Sequence, residues 1–168
     1  MSHATAINLW RKKMFIQFLQ IFFVSMVPLI ELRGAIPLAV GYGLPIVPSY
    51  IIAIVGNMLP VPIIFWFARK VLLWGKDKPV IGGFFTWCLN KGERGGQKLK
   101  RKAGGGLYLA LLLFVGIPLP GTGAWTGILA ASILDMDFKK SAAACMGGVV
   151  LAGIIMGLVS FGVKFLMF

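Results

Sequence analysis

Glu31 and Arg33 lie two positions apart between uncharged runs at 14–30 and 34–68, of 17 and 35 residues. A charge at mid-bilayer costs about 3 kcal/mol on insertion scales, so ionisable residues at such depth usually bind something or move something. Their chemistries differ. A guanidinium stays protonated at any accessible pH and offers a planar fork of donors that suits phosphate, so Arg33 reads as a permanent anion hook. A carboxyl can take up and release a proton, so Glu31 reads as a proton switch, the minimum that proton coupling requires. Side chains at i and i+2 point apart on a regular helix, and these two meet only where the backbone is extended. Pro28, Gly34 and Pro37 favour such a departure from the helix. The alternative is a structural ion pair, or an interfacial loop outside the hydrocarbon.

A second cluster follows at Pro118-Leu119-Pro120-Gly121-Thr122-Gly123-Ala124-Trp125. Gly121, Thr122 and Gly123 offer backbone amide donors just before a helix restarts, which is an anion-binding arrangement. Trp125 and Thr126 would line that pocket, or Trp125 would simply pack in the bundle. Asn57 is a polar residue at depth, suited to hydrogen-bonding a break or to joining two helices. Gly153 and Gly157 form a GxxxG, which packs against a hairpin or against a second subunit in a homodimer. Catalytic chemistry has little to work with. The chain has one histidine (His3), five acids, and two cysteines, Cys88 in a basic segment and Cys145 in an apolar one. No nucleophile–base set, phosphate loop or metal-ligand spacing appears, so no enzyme activity, metal or cofactor is expected.

The elements that must position these residues are membrane helices. The 168 residues are 58% hydrophobic with only 22 charges, 17 basic and 5 acidic, and two more uncharged runs fall at 103–134 and 141–163. Mean hydropathy is +0.88. About 20 apolar residues of helix cross a bilayer, so the composition predicts an all-α integral membrane protein of one domain. The net charge of +12 sits beside membrane segments, where anionic lipid rather than nucleic acid is the partner. Arg11, Lys12 and Lys13 before an apolar stretch imitate a signal peptide, but the stretch runs on into Pro28, Glu31 and Arg33 and reads as part of the membrane domain.

A basic segment divides the chain into repeat 1 (about 7–70), an interfacial loop (71–105) and repeat 2 (about 106–168). Ten of the seventeen positive charges lie at 69–102, interleaved with Trp74, Phe84, Phe85 and Trp87. That mixture suits the headgroup layer, with Lys98, Lys100, Arg101 and Lys102 on lipid phosphates; the alternative is a solvated linker. Each repeat reads as apolar run, proline break, small residues, turn, long helix. The turns are expected at 45–49 and 135–140, and the long helices at 50–68 and 141–165. Pro28 and Pro118 stand 90 residues apart, and Ser49 and Ser141 stand 92 apart.

Prolines free backbone groups that hydrocarbon cannot satisfy, so broken segments belong where protein or a wet cavity covers them. Both breaks therefore read as the tips of re-entrant helical hairpins, the alternative being Pro-kinked spanning helices. One hairpin plus one spanning helix makes an odd number of crossings, which inverts the second repeat relative to the first and brings the tips together near the midplane. Twelve positive charges lie in the loop and the 135–140 turn, against four in the N-terminal segment and Lys164, so the loop is expected on the cytoplasmic side of an inner membrane. Arg11, Lys12 and Lys13 pull the N-terminus toward the same side.

The segments Glu31-Leu32-Arg33-Gly34-Ala35-Ile36-Pro37 and Pro118 to Gly127 resemble the two signatures of the small multidrug export protein family, a likeness covering most of the chain. The broken-hairpin plan also resembles the DedA superfamily, whose members have two facing re-entrant hairpins; some translocate undecaprenyl phosphate or scramble phospholipids, often with proton dependence. That resemblance implies that Glu31 matches the acid of the first hairpin and Pro120-Gly121 the Pro-Gly of the second. DedA proteins usually carry arginines around that Pro-Gly, whereas this chain has Gly116 and Gly123 nearby, leaving Arg33 as the candidate hook. The expectation is a transporter or flippase for an anionic amphiphile, such as undecaprenyl phosphate or a phospholipid, coupled to protons through Glu31. Two alternatives stand beside it. One is a cationic drug/proton antiporter in which Arg33 is structural; the other is a non-transporting scaffold whose loop organises anionic lipid.

Overall fold

The computed structural model describes residues 3–79, 82–83, 86–87, 90, 106–119 and 121–167, and the described elements are helices. They are α1 (His3–Met26), α2 (Glu31–Gly41), α3 (Ile46–Met58), α4 (Pro60–Lys76), α5 (Gly106–Gly116), α6 (Ala124–Ile133) and α7 (Phe138–Met167). Among the described residues two stretches are long and apolar enough to cross a membrane, Ile46–Lys76 and Phe138–Leu166. At 1.5 Å per residue each exceeds 40 Å, whereas α2, α5 and α6, with 11, 11 and 10 residues, reach only about 15 Å. Large apolar side chains such as Phe15, Phe23, Ile63, Leu158 and Phe165 stay exposed on the outside, a surface that matches lipid rather than water.

The two halves share local geometry to the level of single hydrogen bonds. After α2 the chain closes with Tyr42 N–H to Leu38 O, Gly43 N–H to Val40 O and Leu44 N–H to Ala39 O. After α6 it closes with Leu134 to Ala130, Asp135 to Ser132 and Met136 to Ala131, the same bonds 92 positions on. Gly43 (φ 69°) and Asp135 (φ 52°) both take the left-handed conformation that ends a helix this way. The buried faces agree too: Leu32, Ala35, Ile36 and Ala39 in α2 correspond to Ala124, Gly127, Ile128 and Ala131 in α6, all within the core.

Packing fixes the helix directions. Gly56 of α3 abuts Phe22 and Ser25 of α1, and Gly148 of α7 abuts Leu112 and Val115 of α5, each glycine at 2.6 Å from a helix carbonyl by the position a Cβ would take. Toward the start of α3, the turn at 42–45 shares a cavity with Trp10 and Lys13, so α1 and α3 run the same way. Gly116 against Leu151 and Gly148 against Val115 set α5 and α7 in one direction as well. Tyr50 bonds the carbonyl of Gly153 while the Phe65 ring meets Phe138 at 5.1 Å, so α3–α4 and α7 are antiparallel.

Several boundaries differ from those expected. The long helices begin earlier, at Ile46 and Phe138: Pro48 fits the first turn of α3, whose N–H groups need no partner, and Asp137 Oδ1 accepts the Lys140 N–H at the start of α7. Ser49 and Ser141 thus sit in the first turn, both fully buried, rather than opening the helix. Pro60 divides the first long helix into α3 and α4, yet Leu59 N–H still reaches Val55 O and the pair runs on as one stretch. Helix α4 extends into the basic segment, where Lys78 lies 4.4 Å over the Trp74 ring. Lys98, Lys100, Arg101 and Lys102 lie outside the described residues. The GxxxG of α7 is filled from within the chain, since a side chain at Gly153 or Gly157 would strike Tyr50.

Candidate functional site between the two breaks

The first break is short. Leu29 (φ 70°) and Glu31 (φ 51°) both hold left-handed backbone, a conformation that costs a non-glycine residue roughly 1–2 kcal/mol. This kink turns the Glu31 carboxylate away from its own helix and into the second break. There Oε1 accepts the Trp125 N–H at 3.0 Å and Oε2 accepts the Ala124 N–H at 3.2 Å. Helix α6 has no cap of its own, because its N-cap is Gly123. Glu31 therefore caps it from the other half of the chain, a carboxylate on the positive end of a helix dipole. Gly123 (φ 151°) is the residue that permits the approach, since any Cβ there would overlap the carboxylate. Glu31 is only 4% exposed.

Arg33 serves the opposite helix end. Its guanidinium donates to the carbonyls of Val115 (3.0 Å), Ile117 (3.2 Å), Leu119 (2.7 Å) and Thr122, and to the Thr122 hydroxyl at 2.8 Å. Thr122 Oγ1 in turn points at Ile117 O and Leu119 O, both at 2.9 Å. Helix α5 ends at Gly116 with carbonyls that have no intrahelical partner, and the cation meets them where the dipole is negative. The two charges of the first break thus clasp the two helix ends that flank the second, instead of pairing with each other.

Glu31 also opens on a groove. A cavity of about 600 Å³ lies between α4 and α6, lined by Pro28, Leu29 and Glu31 at one end, by apolar residues such as Phe67, Val71 and Leu129 along its length, and by Thr122, Trp125 and Thr126 near the carboxylate. Among the described residues Glu31 is the charged side chain on its wall; Arg33 does not line it. The Trp125 Nε1 is buried without a hydrogen-bond partner.

The remaining expected residues distribute as follows. Gly34 packs on Ile30, so close that a side chain would collide. Pro37 lies inside α2, on a separate cavity with α7. Pro118 and Gly121 shape the second break, with Gly121 at φ 80°, and Pro120 lies outside the described residues. Asn57 is buried in α3 with its Oδ1 unpartnered, so that atom bonds neither break. Sequence reasoning passed over the α4 wall of the groove, whose Ile64, Phe67, Ala68 and Val71 look like any lipid-facing helix. Among the described residues no group of three or more His, Cys, Asp or Glu could hold a metal ion.

A family model described as Putative small multi-drug export protein matches residues 31–155, a span that begins at Glu31, where the first break ends, and takes in the second break. No curated protein and no solved structure gives a significant match. The family description and the two apolar spans agree on a membrane location.

Proposed function

The chain belongs to this export-protein family, and on that footing we propose that it is a membrane transporter that exchanges amphiphilic cations for protons at Glu31. The observation that carries the reading is the pairing of Glu31, the charged side chain among the described lining residues, with a groove of about 600 Å³ lined mainly by apolar residues. A hydrophobic cation offers both halves of the match: an apolar body for Phe67, Val71 and Leu129, and a positive centre for Glu31. An anionic substrate would need a hook, and Arg33 spends its donors on backbone carbonyls of the second break.

Inverted repeats of hairpin plus spanning helix are supported by the matching turns 92 residues apart and by the opposed directions of α3–α4 and α7. Gly56 and Gly148, the equivalent close-packed positions, lie near the middle of the two long apolar runs, and Glu31 is nearby at the start of α2. At that depth a bare carboxylate is stable only while α6 supplies its two N–H donors. A proton or a cation neutralises it and loosens that clasp, so occupancy of the site controls how firmly the two hairpins hold together. Because both ligands neutralise the same group, they bind by turns.

The test uses proteoliposomes with an imposed pH gradient and the hydrophobic cation tetraphenylphosphonium. Wild-type protein should accumulate the cation against the proton gradient, and Glu31→Gln should abolish accumulation while the protein remains folded. Uptake that persists in Glu31→Gln, or a wild type that moves an anionic lipid and no cation, would remove the reading.

A further inference from the structure

The groove beside Glu31 has a counterpart. A second cavity, of about 370 Å³, lies between α2 and α7. Its lining falls on the first groove's positions shifted by 92: Ser160 stands for Ala68, Val163 for Val71, and Pro37 for Leu129. This is the offset that relates the two helix-ending turns. The first groove follows the long helix beyond Gly56 and the second follows α7 beyond Gly148, and these helices are antiparallel. The two grooves therefore open toward opposite leaflets, with the breaks between them.

The equivalence is broken in charge. Glu31 lines the first groove, and its counterpart 92 positions on is Gly123, which has no side chain to offer the second. At the far end Leu72 of the first groove is replaced by Lys164 in the second. One groove attracts a cation and the other repels it.

Resting on the cation reading above, we infer that the α2–α7 groove is the release site for the same amphiphilic cation, occupied after the substrate passes the breaks and emptied toward the other leaflet under repulsion from Lys164. Its apolar lining suits the apolar body that the first groove holds, while the absence of a carboxylate keeps residence there short. Where the basic loop lies on the cytoplasmic side, the carboxylate groove faces the cytoplasmic leaflet and the lysine groove the outer one, so an inward proton gradient would drive export.

The experiment fills each groove at equivalent positions. Ala68→Trp and Ser160→Trp are compared for equilibrium binding of tetraphenylphosphonium in detergent and for its uptake into proteoliposomes. Ala68→Trp should weaken binding at least about tenfold, because it fills the site that holds the cation. Ser160→Trp should leave binding within about twofold of wild type yet slow uptake at least about tenfold. Retained binding also shows that the variant is folded; should Ser160→Trp lose it, Val163→Trp at a half-exposed position repeats the measurement. Wild-type uptake with the second groove filled would overturn this inference alone. Undiminished binding in Ala68→Trp would overturn the cation reading and the inference with it.

Discussion

Gly123→Ala puts a methyl group where the Glu31 carboxylate lies, and its cost can be worked from two parts. The backbone at φ 151° and ψ −179° is essentially reserved for glycine, so alanine there is strained by about 1–3 kcal/mol. The methyl group also expels the carboxylate from the Ala124 and Trp125 N–H groups, a loss of about 2 kcal/mol for hydrogen bonds to a charged acceptor. The sum is about 3–5 kcal/mol, a large share of a typical folding free energy. Denaturation in mixed micelles on wild type, Gly123→Ala, Glu31→Ala and the double variant separates the parts. With the carboxylate already gone, Gly123→Ala should cost only the backbone part, leaving a coupling of about 2 kcal/mol between the sites. Additive effects, or a Gly123→Ala protein within about 0.5 kcal/mol of wild type, would refute the cross-capping of α6 by Glu31.

Other consequences follow from the same geometry. Arg33→Lys keeps the charge but loses the fork that reaches the carbonyls of Val115, Ile117, Leu119 and Thr122, so amide hydrogen exchange at Ile117, Leu119 and Thr122 should quicken about tenfold or more; unchanged exchange would count against the clasp. Gly56→Ala and Gly148→Ala should destabilise alike, by about 1–3 kcal/mol each, since both press a methyl group on a helix carbonyl 2.6 Å away, and denaturation reads the pair directly. Tyr50→Phe removes the hydroxyl that bonds Gly153 O and should cost about 1 kcal/mol in the same assay. Gly43→Ala, at φ 69°, should cost about 1–2 kcal/mol through its backbone alone.

What the sequence makes visible rests on local chemistry: prolines that free backbone, two charges between long uncharged runs, and a spacing that recurs at 90 and 92 residues. The offset carries down to the turn bonds of Leu44 with Ala39 and Met136 with Ala131. The use made of Arg33 was not legible. Its partners lie 82 to 89 residues away in the other half, and from the sequence a fork of donors fits a phosphate as well as a row of helix-end carbonyls. Glu31 was singled out by its depth, but the Ala124 and Trp125 amides that hold it depend on how the halves dock. The α4 wall of the groove was hidden for another reason. Phe67 and Val71 face an apolar cavity, and apolar residues facing lipid have the same composition.

The most direct test of the account is a count of protons. Tetraphenylphosphonium is added to purified protein in weakly buffered detergent, and a pH-sensitive dye reports what leaves the protein. Exchange at Glu31 predicts that at acidic pH, where the free carboxyl holds a proton, each bound cation releases one, and that Glu31→Gln releases none. Binding without proton release, or release that survives in Glu31→Gln, would contradict it.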